Sequence, residues 1–347
     1  MHRCLQLAKM GAGHVAPNPM VGAVLVYENI IIGEGYHEQY GQAHAEVNCI
    51  NSVSEANKLL IEKSILYVSL EPCVHYGKTP PCADLIIKNN IPTVVIGCRD
   101  SYEEVDGKGI QKLEQAGINV ITGILEKEAL ELNKRFFTFH TKHRAYIILK
   151  WAQSNDAKIA NDNFSAVKIS NDTTNRLVHK WRSEEAAILV GTNTALQDNP
   201  SLTTRFWQGN NPVRLVIDQQ LKLPASLHLF DGSVKTIVFN QVKDEEKNGM
   251  LYYKIAANEN ILPGLLNALY QLNIQSVLVE GGATLLQSFI DQNYWDEARV
   301  ITNEQLTIGR GINAPCLKNN ILISTQKIAT DLVSTYQQYP SYSINIH

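Results

Sequence analysis

The sequence lacks the features that would send a chain into a membrane or onto a nucleic acid. No apolar run in its 347 residues approaches the roughly 20 residues that cross a bilayer. The stretch from Met1 to Gly11 mixes polar with apolar residues and has no signal-peptide core, which predicts a cytoplasmic protein. It reads as a short helix with Leu5, Ala8 and Met10 inward. Charge of one sign is not in excess: 31 Lys and Arg face 34 Asp and Glu. Residues 1–143 carry 13 basic and 16 acidic side chains and the remainder 18 of each, so neither half has the basic surplus that phosphate-backbone binding needs. A small substrate is therefore expected, with no nucleic-acid and no membrane partner. Cysteine is sparse, at six. Cys4, Cys49, Cys98 and Cys316 are scattered and read as small buried hydrophobes.

The other two cysteines belong to a pattern. His44-Ala45-Glu46 is followed by Glu71-Pro72-Cys73 and then by Pro81-Cys82. One imidazole and two thiolates fill three corners of a tetrahedron around zinc and leave the fourth to water, the arrangement of a catalytic metal. Zinc so held lowers the pKa of its water to about 7. Glu46 is suited to moving protons rather than to ligation, and a His-x-Glu followed by Pro-Cys and a second Cys is the signature of zinc nucleobase deaminases. The chain is thus read as an enzyme that removes an amino group from a heterocycle. Residues two apart do not share a helix face, so His44 and Glu46 must sit where a helix begins. Eight residues separate the cysteines, against two in nucleic-acid deaminases. That longer loop brings His75, Lys78 and Thr79 to the metal, useful for a phosphorylated substrate.

Patterning predicts strands over 21–27 and 30–35 joined at Glu28-Asn29, a helix over 43–53, a strand over 65–70, a helix over 83–90 and a strand over 93–98. A helix over 108–116, a strand over 118–122 and one long helix over 126–140 complete a three-layer α/β sandwich. A boundary is expected near His143. Beyond it strands are predicted over 144–150, 187–190, 214–218, 235–240, 276–279 and 298–302. Helices are predicted over 171–184, capped by Asn171 or Asp172, and over 261–272 and 282–291.

The chain resembles the bifunctional riboflavin-biosynthesis family, a pyrimidine deaminase fused to a pyrimidine reductase. In the first half the resemblance rests on Pro17-Asn18-Pro19-Met20-Val21-Gly22-Ala23, Gly35-Tyr36-His37, His44-Ala45-Glu46-Val47 and the unbroken run from Leu70 to Cys82. In the second half it rests on Lys150-Trp151-Ala152-Gln153-Ser154, the run from Gly191 to Arg205, and Val279-Glu280-Gly281-Gly282-Ala283-Thr284-Leu285. It implies a cytidine-deaminase-like α/β/α sandwich over residues 1–143, acting as a zinc-dependent pyrimidine deaminase. A dihydrofolate-reductase-like α/β domain over 144–347 would be an NADPH-dependent pyrimidine reductase. By the same resemblance Glu46 is catalytic, His44, Cys73 and Cys82 hold zinc, and Asn18, His37 and Lys78 line the deaminase pocket. Gln153, Lys168, Thr194, Asp198 and the run Gly281, Gly282, Ala283, Thr284, Leu285 and Leu286 would hold NADPH. Arg182, Leu202, Arg205 and Glu280 would meet the reductase substrate, the arginines taking its phosphate. Bare amides after Glu280-Gly281-Gly282, between an apolar strand and a helix, suit a cofactor phosphate. The family tends to associate, so a homodimer is expected.

Two positions depart from the family pattern. Ala157 follows Asp156 where the family usually has glycine, and Lys168 stands where it usually has tryptophan. A deaminase whose reductase half is impaired is therefore the alternative reading. Further competitors are a nucleoside or tRNA adenosine deaminase, and a non-catalytic zinc-stabilised protein with a fourth protein ligand.

Overall fold

The structure is a computed structural model describing residues 1–76, 80–102, 104–162, 167–256 and 258–339. The chain divides into two compact units, Met1–His143 and Arg144–His347.

The first unit is built on a five-stranded sheet. Its strands are β1 (Gly22–Tyr27), β2 (Ile30–Tyr36), β3 (Ile65–Leu70), β4 (Thr93–Cys98) and β5 (Asn119–Ile121), in the order β2-β1-β3-β4-β5. β1 runs antiparallel to β2 and β3, while β3, β4 and β5 are parallel. Glu28 and Asn29 turn the first hairpin with φ of 47° and 67°, the conformation that a two-residue turn of matching twist requires. The helices are α1 (His2–Lys9), α2 (Ala45–Asn51), α3 (Cys82–Lys88), α4 (Lys108–Gln115), α5 (Glu126–Leu132) and α6 (Lys134–Lys142). Alternation along β1 sends Ala23 and Leu25 to one face, where they meet Ala45 and Cys49 of α2, Ala83 and Ile86 of α3 and Leu113 of α4. Val24 faces the other way, onto Cys4 and Leu7 of α1. The result is the three-layer sandwich. Gly33 and Gly35 let α2 lie tight on β2, since a Cβ at either would come within 2.6 Å of the Cys49 or Asn48 backbone.

Two expectations fail here, and a third fails in the second unit, where Cys316 is exposed rather than buried. Met10 lies beyond the end of α1 and is 59% exposed rather than inward. The long helix over 126–140 is broken at Asn133, whose φ is −104°. That side chain is buried and brackets the Met20 backbone: Met20 N donates to its Oδ1 at 2.8 Å and its Nδ2 donates to Met20 O at 2.9 Å. Tertiary bonds to a distant loop thus replace helix continuity.

In the second unit the chain runs β6 (Tyr146–Ser154), β7 (Lys158–Asn161), α7 (Asp172–Glu184), β8 (Ala187–Gly191), α8 (Thr192–Asp198), β9 (Val213–Ile217) and β10 (Thr236–Asn240). It continues through β11 (Glu245–Lys247), β12 (Met250–Lys254), α9 (Ile261–Gln271), β13 (Ser276–Val279), α10 (Ala283–Asp291), β14 (Glu297–Asn303), β15 (Gly311–Asn313), β16 (Asn320–Ile328) and β17 (Asp331–Gln338). Ten strands form one sheet in the order β11-β12-β10-β9-β8-β13-β6-β14-β17-β16. From β12 to β14 neighbours are parallel, and both ends are closed by antiparallel strands. The parallel strands β10 and β13 are buried along their whole length, as strands covered on both faces must be. Helices α9 and α10 cover one face through Leu265, Leu269, Phe289 and Ile290. Helices α7 and α8 cover the other through Val178, Trp181 and Ala195. Asn171 is the cap of α7, accepting from Thr174 N at 2.9 Å.

Ala157 has φ of 54°, in a turn closed by its N–H to Ser154 O at 3.0 Å. A left-handed residue with a Cβ costs about 1–2 kcal/mol. Ala157→Gly is therefore expected to stabilise the second unit by about 0.5–1 kcal/mol after the entropy that glycine adds to the unfolded chain. Thermal melting checks this, and a lowered melting temperature would show that the turn carries no strain.

Candidate active sites

In the first unit, three backbone segments converge at the C-terminal end of β3, where parallel strands usually present their ligands. β3 runs directly into Glu71-Pro72-Cys73. Helix α2 begins beside it with His44 as its cap residue, and α3 begins with Cys82. The His44 Nδ1 lies 3.5 Å from Cys73 Sγ and 3.3 Å from Cys82 Sγ. All three donor atoms fall within 4.8 Å of one another. The neighbouring Cys82 thiol and the His44 ring pull the Cys73 thiol well below the ordinary thiol range. The Glu46 carboxyl is fully buried and interacts with the Cys82 thiol, so it faces the cluster. Burial, reinforced by the Cys73 charge, holds its pKa above the usual carboxylate range. A carboxyl tuned upward in this way holds and returns a proton more readily than an ordinary carboxylate.

His37 and Asn18 stand against the same cluster. The His37 ring makes an edge contact with His44, centroids 5.3 Å apart. Its Nδ1 donates to Ala43 O at 3.0 Å, which leaves Nε2 to accept from Asn18 Nδ2 at 3.2 Å. Burial pushes its pKa down, so the ring is neutral and fixes the Asn18 amide in one orientation. Lys78 lies outside the described residues.

Glu71, which sequence reasoning quoted only as part of a motif, proves to be an anchor. Its buried carboxylate accepts four backbone N–H groups, from Asp100, Gly107, Gly109 and Ile110, at 2.9–3.2 Å. It thereby ties the start of α4 and the loop before it to the Cys73 segment.

The second unit builds its site where two neighbouring parallel strands end. β13 leads through Glu280-Gly281-Gly282 into α10, and β8 leads into α8. A Cβ on Gly281 would meet Val190 Cβ at 2.9 Å, and Gly282 has φ of 65° with Thr194 Oγ1 only 3.2 Å from where its Cβ would stand. Both positions require glycine. Helix α10 has no acidic residue in its first turn and no side-chain cap, so the amides of Ala283, Thr284 and Leu285 are offered to a ligand. Leu285 and Leu286 turn their side chains to the core and contribute backbone only.

The Glu280 side chain is buried between two cationic partners. Arg182 grips it with Nε and Nη2, both at 2.8 Å, and Lys150 Nζ lies 3.5 Å away. Arg182 Nη1 also donates to Thr203 O at 3.1 Å. Burial would raise the Glu280 carboxyl, but Arg182 and Lys150 outweigh it and hold it down at about 2. Leu202 is buried with φ of 51°, a strained conformation of the kind kept at ligand-contacting loops. Arg205 is exposed. Of the remaining expected residues, Gln153 accepts from Trp151 Nε1 and donates to Thr302 Oγ1 on the sheet. Asp198 is exposed at the end of α8, and Lys168 pairs with Asp172 at the exposed start of α7.

Family models match both units. Residues 1–98 match the cytidine and deoxycytidylate deaminase zinc-binding region, and residues 145–316 match the RibD C-terminal domain. A riboflavin biosynthesis protein RibD of Aquifex aeolicus is 38% identical, the match covering 98% of each chain. Another, of Bacillus amyloliquefaciens, is 40% identical over 86% of this chain and 81% of its own. The chain belongs to the RibD family. Among solved structures, a diaminohydroxyphosphoribosylaminopyrimidine deaminase/5-amino-6-(5-phosphoribosylamino)uracil reductase of Thermotoga maritima superposes with a TM-score of 0.89 at 36% identity, covering 97% of each chain.

The donor sets fit the two groups a RibD protein uses. One imidazole nitrogen and two sulfurs, gathered with a lowered thiol pKa, are a zinc set with a corner left over. The glycine cradle at uncapped α10 fits the phosphates of NADPH.

A pH dependence follows from Glu280. Its folded pKa of about 2 lies below the usual 4.5. Its ion pair therefore stabilises the second unit fully above pH 4.5, and that stability is lost as pH falls toward 2. Glu280→Gln is expected to be less stable than the parent at pH 6, with the gap shrinking by roughly 3 kcal/mol on going to pH 2. Urea unfolding of the second unit across that range measures it. A gap that stays constant with pH would contradict the pairing.

Proposed function

We propose that the residues assembled above carry out the two successive reactions of a RibD enzyme, one in each unit. The first is hydrolytic deamination of 2,5-diamino-6-ribosylamino-4(3H)-pyrimidinone 5′-phosphate, in which water replaces the 2-amino group and ammonia leaves. The second is NADPH-dependent reduction of the ribosyl side chain to ribityl. The observation that carries this reading is the meeting of His44, Cys73 and Cys82 with the buried Glu46 against them. A deaminase with an impaired reductase half finds no support, because the second unit keeps its glycine cradle and its Glu280–Arg182 pair.

Zinc, when bound, supplies the acidity that lets a water ionise near neutral pH. Glu46 would take the water's first proton and pass it to the ring nitrogen, then take the second from the added hydroxyl as the carbonyl forms and give it to the amino group, which leaves as ammonia. His37 and Asn18, locked to each other, orient the pyrimidine over His44, and the family resemblance adds Lys78 as a substrate contact. NADPH, when bound, supplies the hydride, and the protein contributes orientation and a dry site. Gly281, Gly282 and the first-turn amides of α10 hold it, with Gln153, Lys168, Thr194 and Asp198 around it. Leu202, Glu280 and Arg182 set the substrate in place, and Arg205 meets its phosphate.

The partner is a small phosphorylated pyrimidine. Neither half of the chain is basic, which favours no nucleic-acid partner. Among the described residues no helix is long and apolar enough to cross a membrane. All six cysteines are free, as thiolate ligands require, which favours a reducing cytoplasm. We read the protein as a homodimer. Strand β16 is an edge of the sheet among the described residues and exposes Leu322 and Ile323, 52% and 51% respectively, the kind of edge that a second copy covers.

Glu46→Gln is expected to cut ammonia release by at least about 100-fold while NADPH oxidation with supplied deaminated intermediate continues at the parent rate. Normal ammonia release would remove Glu46 from the mechanism. Light scattering is expected to give twice the chain mass for the parent and the single chain mass for Leu322→Lys. A dimeric Leu322→Lys would place the interface elsewhere.

A further inference from the structure

The loop from Thr203 to Gly209 carries Arg205, and it is seated on α7 at three points. Arg182 Nη1 donates to Thr203 O at 3.1 Å. The His179 ring meets Phe206 edge-on, with centroids 4.8 Å apart and planes at 70°. Gly209 rests on Ser183, where a Cβ would come within 2.6 Å of the Ser183 side chain. Spacings of three and four residues put His179, Arg182 and Ser183 on one face of the helix. Thr204 stiffens the loop from within: its N and Oγ1 both donate to Asn211 Oδ1 at 2.9 Å.

His179 is 1% exposed, and its Nδ1 is buried without a partner among the described residues. Nothing in the chemistry assigned so far uses it. Its ring bonds the Thr203 backbone and meets the half-exposed Phe206 ring, and the Arg205 guanidinium lies over that same Phe206 ring at 5.0 Å. Burial, then Arg182 and Arg205, push the His179 pKa down to about 4. The ring is therefore an uncharged platform beside two guanidiniums, where a third cation would be repelled. Arg205 itself is exposed, and a long exposed side chain has many rotamers unless a surface holds it. An aromatic face beneath the guanidinium is such a surface.

We propose that His179 and Phe206 are positioning residues of the reductase site: His179 fixes the Phe206 ring, and that ring holds the Arg205 guanidinium ready for the substrate's phosphate. The proposal rests on the reading that Arg205 meets that phosphate. It accounts for an aromatic side chain half in water next to Arg205, and for a buried histidine whose ring meets both the Thr203 backbone and Phe206.

The test uses the full chain with NADPH and the deaminated 5′-phosphate intermediate, comparing Arg205→Ala, Phe206→Leu, His179→Leu and His179→Phe. Phe206→Leu and His179→Leu are expected to raise KM about tenfold, approaching Arg205→Ala, with kcat and the Kd for NADPH within about twofold of the parent. His179→Phe, which restores a ring, is expected to recover most of the loss. Adding Phe206→Leu to Arg205→Ala is expected to cost nothing more, since the two act as one unit. With the intermediate lacking its phosphate, parent and variants are expected to converge. If Arg205→Ala raises KM and Phe206→Leu does not, the proposal is overturned while the role of Arg205 stands. If Arg205→Ala leaves KM unchanged, both are overturned. Phe206 is a surface side chain, so Phe206→Leu decides the matter alone should His179→Leu not fold.

Discussion

Three electron-rich donors held within 4.8 Å of one another are the constraint on which the first unit depends. Two thiolates in such proximity repel each other, and the Cys73 thiol is already pulled toward its anion by its neighbours. A dication satisfies both sulfurs and the neutral imidazole at once. The fold brings them together by ending one strand and starting two helices at the same place. Glycines at 33 and 35 let α2 close onto the sheet, which delivers His44 and Glu46 to the metal from a helix entry. Glu71 then fixes the Cys73 segment through four backbone N–H groups. That acidic side chain does no chemistry on substrate, yet without it the Cys73 segment loses its tie to α4.

The second unit solves a related problem with different groups. Its site also lies where parallel strands end, and it too is organised around buried charge. Glu280 is offset by Arg182 and Lys150, and Arg182 reaches on to the Thr203 carbonyl. One guanidinium therefore joins the turn at Glu280-Gly281-Gly282 to the loop that begins at Thr203. A buried pair of this kind is weak evidence of stability by itself. Its value here is geometric, since it sets where two loops stand relative to each other.

Much of this was legible in the sequence, and what was legible shares a property. The strands Ile65–Leu70, Thr93–Cys98 and Ser276–Val279 are apolar runs between clear breakers, and their predicted bounds match those observed. The zinc ligands lie in compact motifs, and the need for a helix entry at His44 followed from spacing alone. Features set by distant partners were not legible. The break at Asn133 depends on Met20, more than a hundred residues away. The exposure of Met10 depends on where α1 stops. The strands Asn320–Ile328 and Asp331–Gln338 went unpredicted, for β16 is exposed nearly throughout and shows no inside-outside alternation. His179 drew no notice, because a histidine within a helical pattern is unremarkable until Phe206 is seen against it. By contrast the left-handed backbone at Ala157 could be anticipated, since an alanine stood where the family resemblance called for glycine.

The deaminase chemistry turns on a metal held by three side chains with one corner left to water. Zinc-edge X-ray absorption on the purified full chain measures that shell directly. The structure predicts one zinc per chain with two sulfurs at about 2.3 Å, one imidazole nitrogen at about 2.0 Å and a single light-atom neighbour that is not a protein ligand. A third sulfur or a second imidazole in the shell would make the site a closed structural one and would contradict the deaminase chemistry.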